Sequence, residues 1–100
     1  MPNFNLYNIN NTVRVAAQFL DLDGSPTDPE NVTLILRLPD GQVITKVFED
    51  GSDIVKESVG HYYCDVLITV SGRWFYGWKG TGEVEVFSEY HFYVARSKLI

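Results

Sequence analysis

Cysteine is nearly absent: Cys64 stands alone in 100 residues, so no internal disulfide can form and the fold must rest on a hydrophobic core. That usage fits a chain folded in a reducing cytosol. Basic residues are scarce too, eight Lys and Arg against thirteen Asp and Glu, for a net charge of −5. They are scattered rather than clustered, which argues against nucleic acid as a partner, since phosphate binding draws on grouped Lys and Arg. No apolar run approaches the ~20 residues that span a bilayer, and the opening MPNFNL has no basic segment leading into an apolar one. Neither membrane insertion nor a secretory signal is expected. His61 and His91 lie beside tyrosines with no His or Cys at metal-ligand spacing. No Ser/His/Asp order, paired catalytic carboxylates or phosphate loop can be read either. The expectation is a non-enzyme without a cofactor.

What the chain has in quantity is strand-forming residues. Apolar residues make up 45% and aromatics 14%, with Val, Ile, Tyr, Phe, Trp and Thr prominent, and the length suits one domain. Residues 60–79 carry two strongly apolar strand candidates split at Ser71-Gly72. Alternation puts Tyr62, Cys64, Val66, Ile68 and Val70 on one face of the first, and Trp74, Tyr76 and Trp78 on one face of the second. A two-residue hairpin at Ser71-Gly72 would set Trp74 opposite Thr69 and Trp78 opposite Asp65, leaving the indoles half wet. A crossover between two sheets buries both rows instead. Each large apolar side chain buried stabilises by roughly 1.5–3 kcal/mol, so the crossover is favoured by several kcal/mol.

The remaining segments read as cover for this pair. Residues 12–20 alternate with Val13, Val15, Ala17 and Phe19 inward, and residues 32–38 with Val32, Leu34, Leu36 and Leu38. Pro39-Asp40-Gly41 turns the chain into a partner strand over 42–49, and Ile54 to Glu57 suggests a short edge strand. Lys79-Gly80-Thr81-Gly82 reads as a glycine-rich turn, with 83–87 and 89–96 as one or two closing strands. The stretch 21–31 is rich in turn formers. Its Asp21-x-Asp23-Gly24 start resembles a calcium loop, but the position where such a loop needs a final glutamate is Val32, so a plain turn is expected. The fold class is therefore all-β, an immunoglobulin-like two-sheet sandwich of about seven antiparallel strands over residues 12–100. An N-terminal arm, residues 1–11, precedes it.

That arm holds five asparagines with Phe4, Leu6, Tyr7 and Ile9 among them. Asn disfavours both helix interiors and strands, so the four apolar residues need a surface to cover. The arm is either an edge strand or a tail laid on its own domain, or it docks on a neighbouring subunit, and these four are the candidate partner-binding residues. Tyr62, two positions before Cys64, suggests a tyrosine corner whose hydroxyl bonds backbone. Cys64 itself, on an apolar row, reads as a small core hydrophobe. The row Trp74, Tyr76, Trp78 admits core burial, a protein interface or a platform for sugar rings.

Asp21 to Leu34, Leu-Pro-Asp-Gly at 38–41, Val-Gly-His-Tyr at 59–62 and Gly-Arg-Trp-Phe-Tyr-Gly-Trp-Lys-Gly-Thr-Gly at 72–82 carry a resemblance. Over residues 12–96 the chain resembles small immunoglobulin-like structural proteins of tailed bacteriophages. The resemblance implies a virion accessory made in the bacterial host cytoplasm: a head decoration or cement protein, or a neck component. Its implied partners are other virion proteins, the major capsid or head–tail connector protein, with homo-oligomers a further option. The alternative is a glycan-binding or host-adhesion module on a tail or capsid, using the aromatic strand face.

Overall fold

A computed structural model describes residues 6–49, 51–82 and 85–95, and among these it contains strands and turns but no helix. Eight strands follow in chain order: β1 (Leu6–Asn8), β2 (Thr12–Gln18), β3 (Asn31–Arg37), β4 (Val43–Val47), β5 (Ile54–Ser58), β6 (His61–Leu67), β7 (Gly72–Thr81) and β8 (Val86–Ala95). They form a five-stranded sheet in the order β1-β8-β7-β3-β4 and a three-stranded sheet in the order β2-β6-β5.

The crossover at Ser71-Gly72 is present, with β6 in the smaller sheet and β7 in the larger. Both apolar rows turn inward as their alternation requires. Tyr62, Cys64, Val66 and Ile68 are buried from one side, and Trp74 and Trp78 from the other. Val13, Val15 and Phe19 of the smaller sheet and Val32, Leu34, Leu36, Phe92 and Val94 of the larger complete the core. The connection is itself pinned. Ile68 exchanges backbone hydrogen bonds with Asn10 and Asn11, and the Trp74 indole N–H donates to the Val70 carbonyl at 2.9 Å. The other indole N–H, on Trp78, is buried without a hydrogen-bond partner among the described residues. Such a group costs about 1–3 kcal/mol, which the burial of the whole ring at 0% exposure outweighs.

Two expectations are resolved and two are corrected. First, the described residues form eight strands where about seven were expected, and the arm takes its edge-strand reading: Leu6–Asn8 pairs in parallel with Tyr93–Ala95 at the edge of the larger sheet. The asparagines that argued against a strand shape the exit from it. Asn10 takes a left-handed conformation (φ 75°), and Asn11 Oδ1 accepts from Asn8 N at 2.9 Å. Second, Lys79-Gly80-Thr81 is not a turn but the last part of β7, paired with Asn31–Thr33. Gly80 is there for space rather than for bending. A Cβ on it would lie 2.7 Å from the Phe19 ring and 2.8 Å from Pro29. Third, the closing segment is one strand, Val86–Ala95, while Glu83, Val84 and Arg96 lie outside the described residues. Fourth, Tyr62 makes no corner to backbone: its hydroxyl donates to the Asp28 carboxylate at 3.0 Å.

That carboxylate clips the long β2–β3 loop onto the β5–β6 turn. Asp28 Oδ1 also accepts from Gly60 N at 2.8 Å, and Oδ2 pairs with Lys56 Nζ at 2.6 Å. The Lys56 and Gly60 hydrogen bonds hold the Asp28 carboxyl below the ordinary Asp range. Burial, reinforced by the bond to Asp28, pushes the Tyr62 phenol up to about 12. Gly60, at φ 75°, touches the loop so closely that a Cβ would lie 2.6 Å from the Phe19 carbonyl oxygen. The Asp21-x-Asp23 start of the loop is a turn closed on itself, with Asp21 Oδ1 accepting from Asp23 N and Ser25 N. No group of three or more His, Cys, Asp or Glu is arranged to hold a metal among the described residues.

Candidate functional site

A strand that carries aromatic residues at consecutive positions cannot bury all of them, because neighbours point to opposite faces. Trp74-Phe75-Tyr76 in β7 and Tyr90-His91-Phe92-Tyr93 in β8 are such runs, and these two strands are antiparallel neighbours. The inward row holds Trp74 and Phe92, stacked at 5.9 Å. The outward row holds Phe75 opposite His91, Arg73 opposite Tyr93 and Lys79 opposite Phe87. On the next strands Arg37 and Ile35 of β3 and Val43 and Val47 of β4 continue the same face.

This outer face of the larger sheet exposes several large apolar side chains among its charged ones. Phe87 is 56% exposed, Val43 55% and Val47 47%. Gly77 opens a shallow groove across it, about 340 Å³ in volume, between Ile35, Val43, Phe75 and Phe87. The Phe87 ring lies over Gly77, where a Cβ would come within 2.8 Å of it. At the lower end of the face the Arg73 guanidinium sits over the Tyr93 ring, 4.8 Å from its centroid, and Nη2 donates to the Tyr93 hydroxyl. His91 meets Tyr93 edge-on at 5.7 Å. Aromatic residues and arginine are the types that dominate the energy of protein interfaces, because they bury large rigid areas at small entropic cost.

The comparisons with known proteins are sparse. No protein-family model matches, and no curated protein matches. Among solved structures, the crystal structure of the Lin-41 filamin domain is similar over 97% of this chain and 89% of that chain, with a TM-score of 0.65 and 11% identity. The sandwich is immunoglobulin-like. At that identity the likeness concerns the fold alone.

Of the four partner-binding candidates, the three within the described residues fall at one margin of this immunoglobulin-like sandwich. Phe4 lies outside the described residues. Leu6 pairs with Tyr93 through the backbone, so the arm joins the larger sheet next to the aromatic face. Tyr7 and Ile9 are half-buried on the chain's own core, Tyr7 edge-on to Phe92 at 5.5 Å. Trp74 and Trp78 are 1% and 0% exposed and only Tyr76 is half-buried, so this row offers no open stacking platform. Cys64 is fully buried, and that burial raises its thiol pKa, the reverse of what a nucleophile needs. His61 Nδ1 is held by Ser58 Oγ and the Val59 carbonyl in the β5–β6 turn. Sequence reasoning missed Phe75, Phe87, Tyr93, Arg37 and Arg73. The consecutive aromatics were the available signal, since they require one row to face outward.

Proposed function

We propose that the protein is a non-enzymatic structural component of a tailed-phage virion, a head decoration or cement protein or a neck component. It docks on other virion proteins through the outer face of its larger sheet and the arm beside it. The resemblance over residues 12–96 supports the virion reading. The observation that carries the mode of binding is the outward row of Phe75, Phe87 and Tyr93 beside Arg73, continuous with β1. A face of this chemistry covers itself by association. A scaffold with its indoles in the core and an aromatic surface left over is built to be fixed against a neighbour rather than to turn over a substrate.

The test is particle sedimentation. Wild-type protein should travel with purified virions in a density gradient, and Phe75→Asp with Phe87→Ser should leave it in the soluble fraction with its melting temperature nearly unchanged. Absence of the wild-type protein from virions defeats the virion reading. Undiminished incorporation of the folded variant defeats the choice of face.

A further inference from the structure

We infer that the hollow between Arg37 and Arg73 is a carboxylate subsite, and that it receives an Asp or Glu side chain from a protein segment that places a large apolar residue beside it. The inference rests on reading this face as a protein interface and names the chemistry of the partner.

The hollow is open, about 390 Å³, and is lined by Arg37, Leu38, Pro39, Gly41, Arg73 and Phe75. Arg37 closes β3 and stands opposite Phe75 in the register, while Arg73 lies two residues before Phe75 on β7. Both side chains therefore leave the same face of adjacent strands, diagonally across from one another, with Phe75 next to each of them.

Charge pairing elsewhere sets these two apart. Among the described residues Arg14 pairs with Asp65, Lys46 with Asp53, Lys56 with Asp28 and Lys79 with Glu85. Arg37 and Arg73 have no carboxylate in ion-pair range among the described residues, although the chain carries thirteen acids to eight bases. An anion seated in a hollow lined by both arginines is attracted by each of them.

The geometry favours a forked acceptor. Arg73 is held in place by its stacking on Tyr93 and its bond to the Tyr93 hydroxyl, so little side-chain entropy remains to be lost on binding. Arg37 makes no hydrogen bond among the described residues and can close on the second oxygen. Phe75, Leu38 and Pro39 supply apolar walls, which strengthen a charge-assisted bond by keeping water away.

The neighbouring groove selects a protein over a polyanion. It shares Arg37 and Phe75 with the hollow and continues over Ile35, Gly77 and Phe87, but Glu89 stands at its far side. A polyphosphate strand running along the face meets that carboxylate and a net charge of −5. A peptide that sets one acid between the arginines and its next same-side residue, an apolar one, over Phe87 brings a single negative charge and keeps it clear of Glu89. Glu89 thereby fixes the direction in which such a segment lies.

The probe is a fluorescein-labelled peptide with one glutamate and a leucine two residues on in a Ser/Gly background, followed by fluorescence anisotropy at low salt, with the arginine Nε–H signals of the folded protein recorded by NMR at millimolar peptide. Binding should shift both arginine signals and weaken with added salt. Arg37→Ala and Arg73→Ala should each weaken it about tenfold, as removal of one charge-assisted bond does. Arg73→Lys should weaken it nearly as much, because the fork is lost while the charge stays. The inference is overturned if neither arginine signal moves, if a lysine–leucine peptide binds as well, or if a single-stranded oligonucleotide binds more tightly. It is also overturned if the unliganded protein self-associates and Arg73→Glu abolishes that, which gives the hollow to a second copy. Peptide binding is measured without particles, so its failure and a failure of virion incorporation are told apart.

Discussion

Replacing Asp28 by alanine should be among the more damaging single changes available outside the core. Asp28 is one-third exposed, yet it receives the Tyr62 hydroxyl, the Gly60 amide and the Lys56 ammonium. Tyr62 is 3% exposed and wedged between the Phe19 and Phe48 rings, at 5.7 and 5.2 Å, so its hydroxyl has nowhere to turn. Hydrogen bonds to a charged group contribute about 1.5–3 kcal/mol, and the exposed Lys56 pair under about 1 kcal/mol. Water reaching the partly exposed carboxylate offsets part of this, so the loss should come to about 2–4 kcal/mol, a large share of the ~5–15 kcal/mol that holds a small domain folded. In thermal melts of a chain this size that is a fall of roughly 10–25 °C. Tyr62→Phe alone should cost about 1 kcal/mol, and the double variant should show positive coupling of similar size. The pH dependence follows from the signs. The Asp28 carboxyl is depressed in the folded state, so its contribution is complete above the unfolded value near ~3.9 and is lost as pH falls through the lower folded one. The Tyr62 phenol is raised to about 12. Its contribution is complete below the unfolded value near ~10 and is lost as pH climbs from there through the folded value, a gap equivalent to about 2–3 kcal/mol. Urea titrations of wild type and Tyr62→Phe from neutral pH into the alkaline range measure this as a difference curve. Parallel curves, or a double-mutant cycle without coupling, would refute the clip.

Gly80→Ala should destabilise by about 1–3 kcal/mol through overpacking against Phe19, and Phe19→Leu in the same chain should recover part of the loss in chemical denaturation. Tryptophan emission should be blue-shifted and protected from iodide, because Trp74 and Trp78 lie in the core; ready quenching contradicts the two-sheet packing. Arg14→Ala should leave the melting temperature nearly unchanged, and more nearly so at high salt, since its pair with Asp65 stands in solvent despite a 2.8 Å contact. Phe75→Asp should leave the melting temperature within a few degrees while abolishing particle incorporation.

How far the sequence reveals this molecule depends on whether a residue's role is local. Alternation in β2, β3 and β6 identified every inward side chain there, because burial on one face repeats with period two whatever the partner strand is. The crossover was legible because the two apolar rows could not share a layer through a two-residue turn. Gly80 was misread because a glycine that yields room to a ring 61 positions earlier looks the same in one dimension as a glycine that bends the chain. An edge strand was one reading of the arm, but the bounds and parallel pairing of β1 were not legible, because three residues flanked by asparagine carry no period. The outer face depended on register: Arg37 and Arg73 become neighbours only once β3 pairs with β7. The Asp28 clip joins positions 34 apart through side chains that each look like ordinary loop and strand residues.

The lone thiol has a practical consequence. Cys64 faces the middle of the molecule from β6, sealed by both layers. A colourless disulfide reagent can reach it only when the layers part, so the rate at which colour develops counts openings of the whole body. The protein thus carries an internal stopwatch for its own breathing, and anything that clamps it, such as incorporation into a larger shell, should be readable as a slower tick without adding a dye or a tag.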